Sequence, residues 1–197
     1  MKRMRTPWGT ADSVRQVAPG IQAVSTPGHG GFKLDRARNA RVHPAFREPG
    51  GWYEGDLKWA VVAVTFTEDA GFTTQTVTEA HATLKNRCPD AYEAVYGVKV
   101  TAEESGVVRE RKALAACKGR MLITACWGEW ATNVPPGHVG VFARVDGREG
   151  APGSEEGYYL VTREQYETGR LVIAGRRTMI HPLPADARPV EGARPFK

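Results

Sequence analysis

The segment Ser25–Leu34 holds the residue best suited to chemistry in this chain. It reads S-T-P-G-H-G-G-F-K-L and surrounds one imidazole, His29, with Gly28, Gly30 and Gly31. Histidine titrates near neutral pH, so it can act as a general acid or base or bind a metal ion. Glycine permits φ > 0 and lets another group approach the backbone closely. The loop therefore either presents His29 as a functional group or is a tight turn with a structural histidine.

A second segment, residues 51–59, supplies two carboxylates. It reads G-W-Y-E-G-D-L-K-W, so two tryptophans and a tyrosine surround Glu54 and Asp56. Carboxylates beside aromatic rings lose hydration, which raises their pKa and makes them usable as acids or bases. In an extended segment residues two apart point the same way, so both should lie on one face, close to His29. The three side chains could form a histidine–carboxylate pair or a mononuclear metal site. The alternative is that the two acids are only polar side chains at the start of an aromatic-rich strand.

A third segment, C-W-G-E-W at residues 126–130, places Glu129 between two indoles. A nucleophilic cysteine needs a base and an activating environment. For Cys126 that base would have to be His29 or His138, brought in by the fold. A buried, unreactive Cys126 is the preferred interpretation, and we expect Glu129 and Trp130 to contact a partner.

Several common catalytic classes are disfavoured. The chain has no phosphate-binding loop, Rossmann glycine motif, G-x-S-x-G or H-E-x-x-H sequence. Its three cysteines are widely spaced and include no C-x-x-C pair, which fits a reducing compartment and disfavours a structural zinc site. We predict no cofactor and no metal centre of a known motif.

The composition is that of a soluble, basic protein. The chain has 197 residues, of which 41% are hydrophobic and 25% charged, with a net charge of +5. No apolar run approaches the roughly 20 residues that span a bilayer, and the N-terminus lacks the apolar stretch of a secretory signal. We therefore expect a cytoplasmic protein without a membrane partner. The basic bias favours acidic partners such as nucleic acid.

The pattern of elements predicts an α+β fold. We expect one globular domain over residues 1–181, with a largely antiparallel sheet of about five to seven strands. A helical segment at about residues 76–117 should pack on one face of it, and residues 182–197 should form a proline-rich, extended and peripheral tail. The run W-A-V-V-A-V-T-F (residues 59–66) is predicted to be a buried central strand. Shorter predictions are a helical turn at residues 12–17, a hairpin at 21–34 and a helix from the N-cap Asp35 to Arg41.

Four motifs resemble an uncharacterised domain family of bacteriophage and plasmid proteins. They are T-P-W-G-T-A-D (6–12), A-P-G-I (18–21), S-T-P-G-H-G-G-F (25–32) and W-Y-E-G-D-L-K-W-A (52–60), and V-P-P-G-H-V-G-V (134–141) and Y-Y-L-V (158–161) fit as well. The chain departs from the family at Gly28, where serine is expected, and at Gly55, where a second acid is expected. The family has no assigned chemistry, so the resemblance implies only a mobile-element setting.

Three functional hypotheses follow. The first is a phage- or plasmid-type protein that binds host machinery in the host cytoplasm, as an inhibitor of a defence or nucleic-acid-processing system. The second is a small hydrolase or nuclease that uses His29 with Glu54 and Asp56. The third is a basic nucleic-acid-binding protein. The missing catalytic motifs favour binding over catalysis, and tryptophan, tyrosine and arginine dominate interface energetics. The predicted partner-binding residues are Trp52, Tyr53, Arg36, Arg38, Arg41, Glu129 and Trp130.

Overall fold

The computed structural model describes residues 4–148 and 155–191. Its contacts divide the chain into two compact units, Met1–Val107 and Val108–Lys197. Within the described residues there are six helices and twelve strands, and every strand pair is antiparallel. The α+β prediction is confirmed, although the strands form four separate sheets instead of one. The single domain over residues 1–181 stays a prediction, and each unit is described by itself.

The strands of the first unit form a small hairpin and a four-stranded sheet. β1 and β2 pair with each other, and β3, β4, β5 and β6 follow one another across the larger sheet in chain order. The bounds are β1 (Arg5–Thr6), β2 (Gly9–Thr10), β3 (Ser13–Ala18), β4 (Ile21–Ser25), β5 (Gly30–Leu34) and β6 (Trp52–Glu54). The β4–β5 pairing confirms the predicted hairpin.

The helical turn predicted at residues 12–17 is wrong, because this segment is β3. Ser13–Gln16 pair residue by residue with β4. The Pro19-Gly20 turn reverses the chain into β4, and Gly20 has the positive φ of 77° that this reversal uses.

Five helices begin in the first unit. α1 has the predicted N-cap: Arg38 N–H donates to the Asp35 carboxylate over 2.7 Å. The bounds are α1 (Arg36–Arg41), α2 (Trp59–Thr65), α3 (Thr74–Arg87), α4 (Pro89–Tyr96) and α5 (Gly106–Ala116), and a 3-10 turn at Pro49–Gly51 precedes β6.

The predicted central strand at residues 59–66 is wrong, because this segment is α2. Its burial was anticipated correctly: Ala60, Val61, Val62 and Ala63 are fully buried. A short continuous apolar run fits a buried strand and a buried helix equally well, so periodicity could not separate them. The segment packs against β5 and β6 on one side and α3 on the other. A helix suits that position because it satisfies its backbone internally, as the 2.9 Å bond from Phe66 N–H to Val62 O shows.

The second unit is built on a four-stranded sheet in the order β12-β9-β8-β7, with a separate β10–β11 pair. Val139, Val141 and Val161 form a buried cluster on this sheet. Part of the predicted tail supplies the edge strand β12, while residues 192–197 lie outside the described residues. The bounds are β7 (Met121–Trp127), β8 (His138–Val145), β9 (Glu156–Thr162), α6 (Arg163–Thr168), β10 (Val172–Ile173), β11 (Arg176–Arg177) and β12 (Arg188–Val190).

The helices described do not meet the requirements for crossing a membrane. Over residues 4–148 and 155–191, none combines the necessary length with the necessary apolar character.

Candidate metal centre

The link between β4 and β5 is a turn that fixes the backbone of His29. Thr26 N–H donates to the His29 carbonyl over 2.7 Å, and the Thr26 hydroxyl donates to the same oxygen over 3.0 Å. The hydroxyl in turn accepts the His29 N–H over 3.1 Å. The Thr26 side chain is buried beneath the turn, whereas the His29 side chain is exposed. The turn therefore holds the backbone and leaves the imidazole accessible.

Of the two uses that glycine permits around His29, close approach of another group explains Gly31. Gly28, Gly30 and Gly31 all lie outside the left-handed region. A Cβ added to Gly31 would lie 2.2 Å from the Tyr53 carbonyl oxygen and 2.7 Å from Cη2 of Trp8. Gly31 therefore lets β6 and an indole approach β5 on either side.

β6 brings the two carboxylates to the histidine. Glu54 is paired with Gly31, and just beyond it Gly55 N–H donates to the Gly30 carbonyl over 2.7 Å. The chain then turns, and Asp56 N–H donates to Oε1 of Glu54 over 2.6 Å. These bonds fix both acids at the end of the sheet where His29 also lies.

The side chains of His29, Glu54 and Asp56 meet there. One possible ligand atom from each lies within 4.8 Å of the other two. Glu54 is half-buried, while His29 and Asp56 are exposed. The predicted proximity of the three residues is confirmed, and their catalytic role stays a prediction.

This set of donors fits a divalent cation. Metal–oxygen distances of about 2.0–2.6 Å allow two ligands of one ion to be up to about 4–5 Å apart, and the cluster meets that limit. One imidazole and two carboxylates suit Mn²⁺ or Zn²⁺, and their two negative charges balance the charge of the ion. Three protein ligands also leave coordination positions for water or substrate.

Two tryptophans pack beside Glu54. Trp8 lies over Gly31, and its ring meets Trp52 edge-on with centroids 5.6 Å apart. The ammonium of Lys33 lies 4.8 Å from the centre of the Trp52 ring. Sequence reasoning missed Trp8 because its contact with β5 is non-local. A glycine inside a strand, which often marks close approach by another group, was the available signal.

Tyr53 cannot stack on a partner, so the expectation that it forms part of an interface is corrected. Its side chain is fully buried. The hydroxyl donates to Oδ1 of Asn39 over 2.6 Å and accepts the Glu48 N–H over 3.2 Å. Burial is the main cause that raises the pKa of Tyr53. These hydrogen bonds of Tyr53 hold the buried face of β6 in place, while its neighbour Trp52 remains half-exposed.

Two of the three arginines predicted to contact a partner are engaged within the first unit. Arg38 and Arg41 both reach Oδ2 of Asp69, at 2.8 Å and 3.3 Å. Both guanidinium groups also lie over the Phe66 ring, 5.3 Å and 5.1 Å from its centre. The hydrogen bond from Arg38 is the main cause that lowers the pKa of Asp69. Arg36 is exposed.

In the second unit, Glu129 and Trp130 have different environments. Glu129 accepts a 2.6 Å bond from Arg163 and a 3.0 Å bond from Gly137 N–H, and the Arg163 bond is the main cause that lowers its pKa. Trp130 is 77% exposed, the highest value among the large hydrophobic side chains described. It therefore remains available to a partner.

The expectation of a buried Cys126 is wrong. The residue lies on the edge strand β7 and is exposed. Its sulfur accepts the hydroxyl of Tyr166 over 3.0 Å, and this bond is the main cause that raises the pKa of Tyr166.

Comparison with known proteins gives a family without an activity. A family model described as a domain of unknown function, DUF7007, matches residues 1–117. Searches of the curated proteins and of the solved structures find no match. The matched range is more than half of the chain and contains His29, Glu54 and Asp56. The expected membership of an uncharacterised family is thus confirmed: the chain belongs to the DUF7007 family of domains of unknown function.

Proposed function

We propose that the chain is a divalent-cation-dependent hydrolase whose metal ligands are His29, Glu54 and Asp56. The observation that carries the proposal is the convergence of their ligand atoms within 4.8 Å of one another. The residues come from two separate segments, and backbone hydrogen bonds fix the chain at both. Such preorganisation is what a metal site requires of its supporting structure.

Each residue has a distinct part in this proposal. His29 supplies a nitrogen ligand from a turn that the Thr26 hydroxyl holds in place. Glu54 is oriented by the Asp56 N–H, which occupies one of its oxygens. A bound Mn²⁺ or Zn²⁺ would supply a water of lowered pKa and would stabilise negative charge on a substrate oxygen. The exposure of His29 and Asp56 lets substrate reach the centre from solvent.

Titration with Mn²⁺ tests the metal site directly. Calorimetry or the electron paramagnetic resonance signal of free Mn²⁺ should report a single saturable site. His29→Ala and Asp56→Asn should each weaken binding at least about tenfold, which corresponds to about 1.4 kcal/mol. Both side chains are exposed, so both variants should keep their free energy of unfolding within about 0.5 kcal/mol of the wild type.

Two exposed residues of the same unit serve as matched controls. His43→Ala removes an imidazole and Glu68→Gln removes a carboxylate away from the cluster, and both variants should bind Mn²⁺ like the wild type. Hydrolysis is then assayed on chromogenic phosphodiester, phosphomonoester and carboxylic ester substrates, with Mn²⁺ or with a chelator. Equal Mn²⁺ affinity in the wild type and His29→Ala would refute the site. A metal-bound protein inactive on every substrate class would refute the hydrolase.

A second proposed function is binding to host machinery, and the exposure of Trp130 supports it. We propose that the protein acts in the host cytoplasm as part of a bacteriophage or plasmid and inhibits a defence or nucleic-acid-processing complex. The resemblance of several motifs to those of phage and plasmid proteins supports this setting. Trp130, 77% exposed, is the type of residue that anchors interfaces. A basic nucleic-acid-binding surface has less support, because Arg38 and Arg41 already pair with Asp69.

Affinity capture from a bacterial host lysate tests this second function. Trp130→Ala should lose a partner that the wild type retains, whereas Val172→Ala, a change at another exposed apolar residue, should keep it. A partner captured equally by both variants would exclude Trp130 as the anchor.

A further inference from the structure

A pocket of about 370 Å³ lies on the four-stranded sheet of the first unit, and we infer that it binds the base and phosphate of a nucleotide. The inference goes beyond the proposed hydrolase, because the residues that line this pocket do not include His29, Glu54 or Asp56. Gly31 and Gly55 line the pocket. Gly31 is the strand partner of Glu54, and Gly55 lies between Glu54 and Asp56 in the chain. The Glu54 side chain lies on the opposite face of the sheet from Phe32, because the strand partner of Phe32 is Tyr53, the residue before Glu54. The pocket is therefore a site apart from the metal ligands.

The pocket arises from one row of residues across three strands. Arg15, Ala23 and Phe32 are direct strand partners on β3, β4 and β5. Strand partners point to the same face, so a cation and an aromatic ring stand on either side of a small methyl group. Neighbouring strands lie about 4.8 Å apart, which separates the backbones of Arg15 and Phe32 by about 10 Å. The small Ala23 leaves the space between them open.

Aromatic rings form one end of the pocket. Phe32 and Trp59 both line it and are both partly exposed. The Phe32 ring is held from behind by Phe72, which it meets edge-on with centroids 6.0 Å apart. Trp59 is the first residue of α2, so its position is fixed by a buried helix. Aromatic side chains of this kind stack on nucleobases with little preference for sequence.

A cation and two hydroxyls form the other end. Arg15 is exposed, and no acidic partner for it occurs in the part of the chain that the structure describes. Ser13 and Ser25, the next strand pair on the same face, place their hydroxyl oxygens 2.8 Å apart at the pocket wall. A guanidinium binds phosphate through two parallel hydrogen bonds. A nucleotide, in which a planar base is joined to a phosphate, matches a pocket with aromatic rings at one end and a cation at the other. The volume of the pocket is that of an ordinary small-molecule site.

Calorimetric titration with the four nucleoside monophosphates tests the inference, with a chelator present throughout. Wild-type protein should show saturable binding of at least one of them at millimolar concentration. Arg15→Gln should weaken that binding about tenfold, whereas the nucleoside that lacks the phosphate should bind both proteins equally. Ala23→Leu should abolish binding because it fills the space between ring and cation. Arg87→Gln, a change at an exposed arginine outside the pocket, should bind like the wild type.

Two results would overturn the inference: no saturable binding of any of the four nucleotides, or equal nucleotide affinity in the wild type and Arg15→Gln. The chelator keeps this test separate from the metal proposal, because loss of nucleotide binding leaves the Mn²⁺ result intact and the reverse also holds. A parallel titration with a short single-stranded oligonucleotide identifies the source of the nucleotide. Tighter binding of the oligonucleotide assigns the pocket to a nucleotide within a strand, and weaker binding assigns it to a free nucleotide.

Discussion

Gly31 is the point where β5, β6 and Trp8 come closest, and its replacement by alanine tests how the candidate site is positioned. The new Cβ would lie 2.2 Å from the Tyr53 carbonyl oxygen, 2.7 Å from Trp8 and 3.0 Å from Cα of Glu54. Ordinary contact begins at 3.4 Å, so the nearest atom must move by about 1.2 Å. That atom belongs to the backbone, which cannot turn away as a side chain can.

The size of the effect follows from this overlap. Overpacking of a closely packed site costs about 1–3 kcal/mol. For a chain of this length each kcal/mol lowers the melting temperature by about 2–4 °C. We therefore expect Gly31→Ala to melt roughly 2–12 °C below the wild type. Because Glu54 moves with β6, the variant should also lose affinity for Mn²⁺.

Gly28→Ala is the matched control. A Cβ at Gly28 would meet nothing within 4 Å among the described residues, and its φ lies outside the left-handed region. This variant should be as stable as the wild type or gain about 0.4–1 kcal/mol, since alanine restricts the unfolded chain. Thermal melting and Mn²⁺ titration of both variants make the comparison. A Gly31→Ala protein with unchanged melting temperature and unchanged Mn²⁺ affinity would refute the packing described for β5 and β6.

Two further predictions concern the first unit. Tyr53→Phe should lower the free energy of unfolding by about 1–3 kcal/mol in urea denaturation, because Asn39 and Glu48 each lose a buried hydrogen-bond partner. Tyr96→Phe, a change at an exposed tyrosine, is the control and should alter the free energy of unfolding by less than about 0.5 kcal/mol. Equal effects of the two substitutions would contradict a stabilising role for the Tyr53 hydroxyl. His81 has a pKa below 6.5, chiefly through burial, so its contribution to stability is complete above pH 6.5 and is lost as the pH falls through the folded-state pKa. Urea denaturation at a series of pH values from above 6.5 downward should show a smaller pH dependence of the free energy of unfolding in His81→Gln than in the wild type. Identical pH profiles of the two proteins would exclude His81 as the source of this dependence.

The meeting of His29 with Glu54 and Asp56 could be predicted from the sequence because it depends on local features. A glycine-rich hairpin turn and a short aromatic strand are both visible as patterns, and their ends place the three residues together. What the sequence could not give is the reason for the glycines. A positive φ and close packing can each require a glycine, and only the position of β6 and Trp8 against Gly31 shows that close packing requires this one.

Errors arose where long-range packing decides the outcome. The run at residues 59–66 satisfies the strand pattern as well as the helix pattern, and its position between a sheet and α3 selects the helix. Tyr53 was expected at the surface together with its neighbour Trp52, but strand alternation turns it to the buried face. The proposed nucleotide pocket could not be predicted from the sequence either, because Arg15, Ala23 and Phe32 become neighbours only when three strands pair in register.

The helical state of α2 has a consequence for the chain while it is unfolded. The eight residues W-A-V-V-A-V-T-F contain no charge and no proline, and half of them are β-branched. Such a composition is typical of segments that aggregate through intermolecular β-sheets when they are exposed. In the folded unit residues 60–63 and Phe66 are buried, and backbone groups of the segment are paired within the helix. The charges of Lys58 and Glu68 flank the run at either end, as gatekeeper residues do. Burial of α2 therefore protects the chain from aggregation as well as supporting the sheet that carries the site.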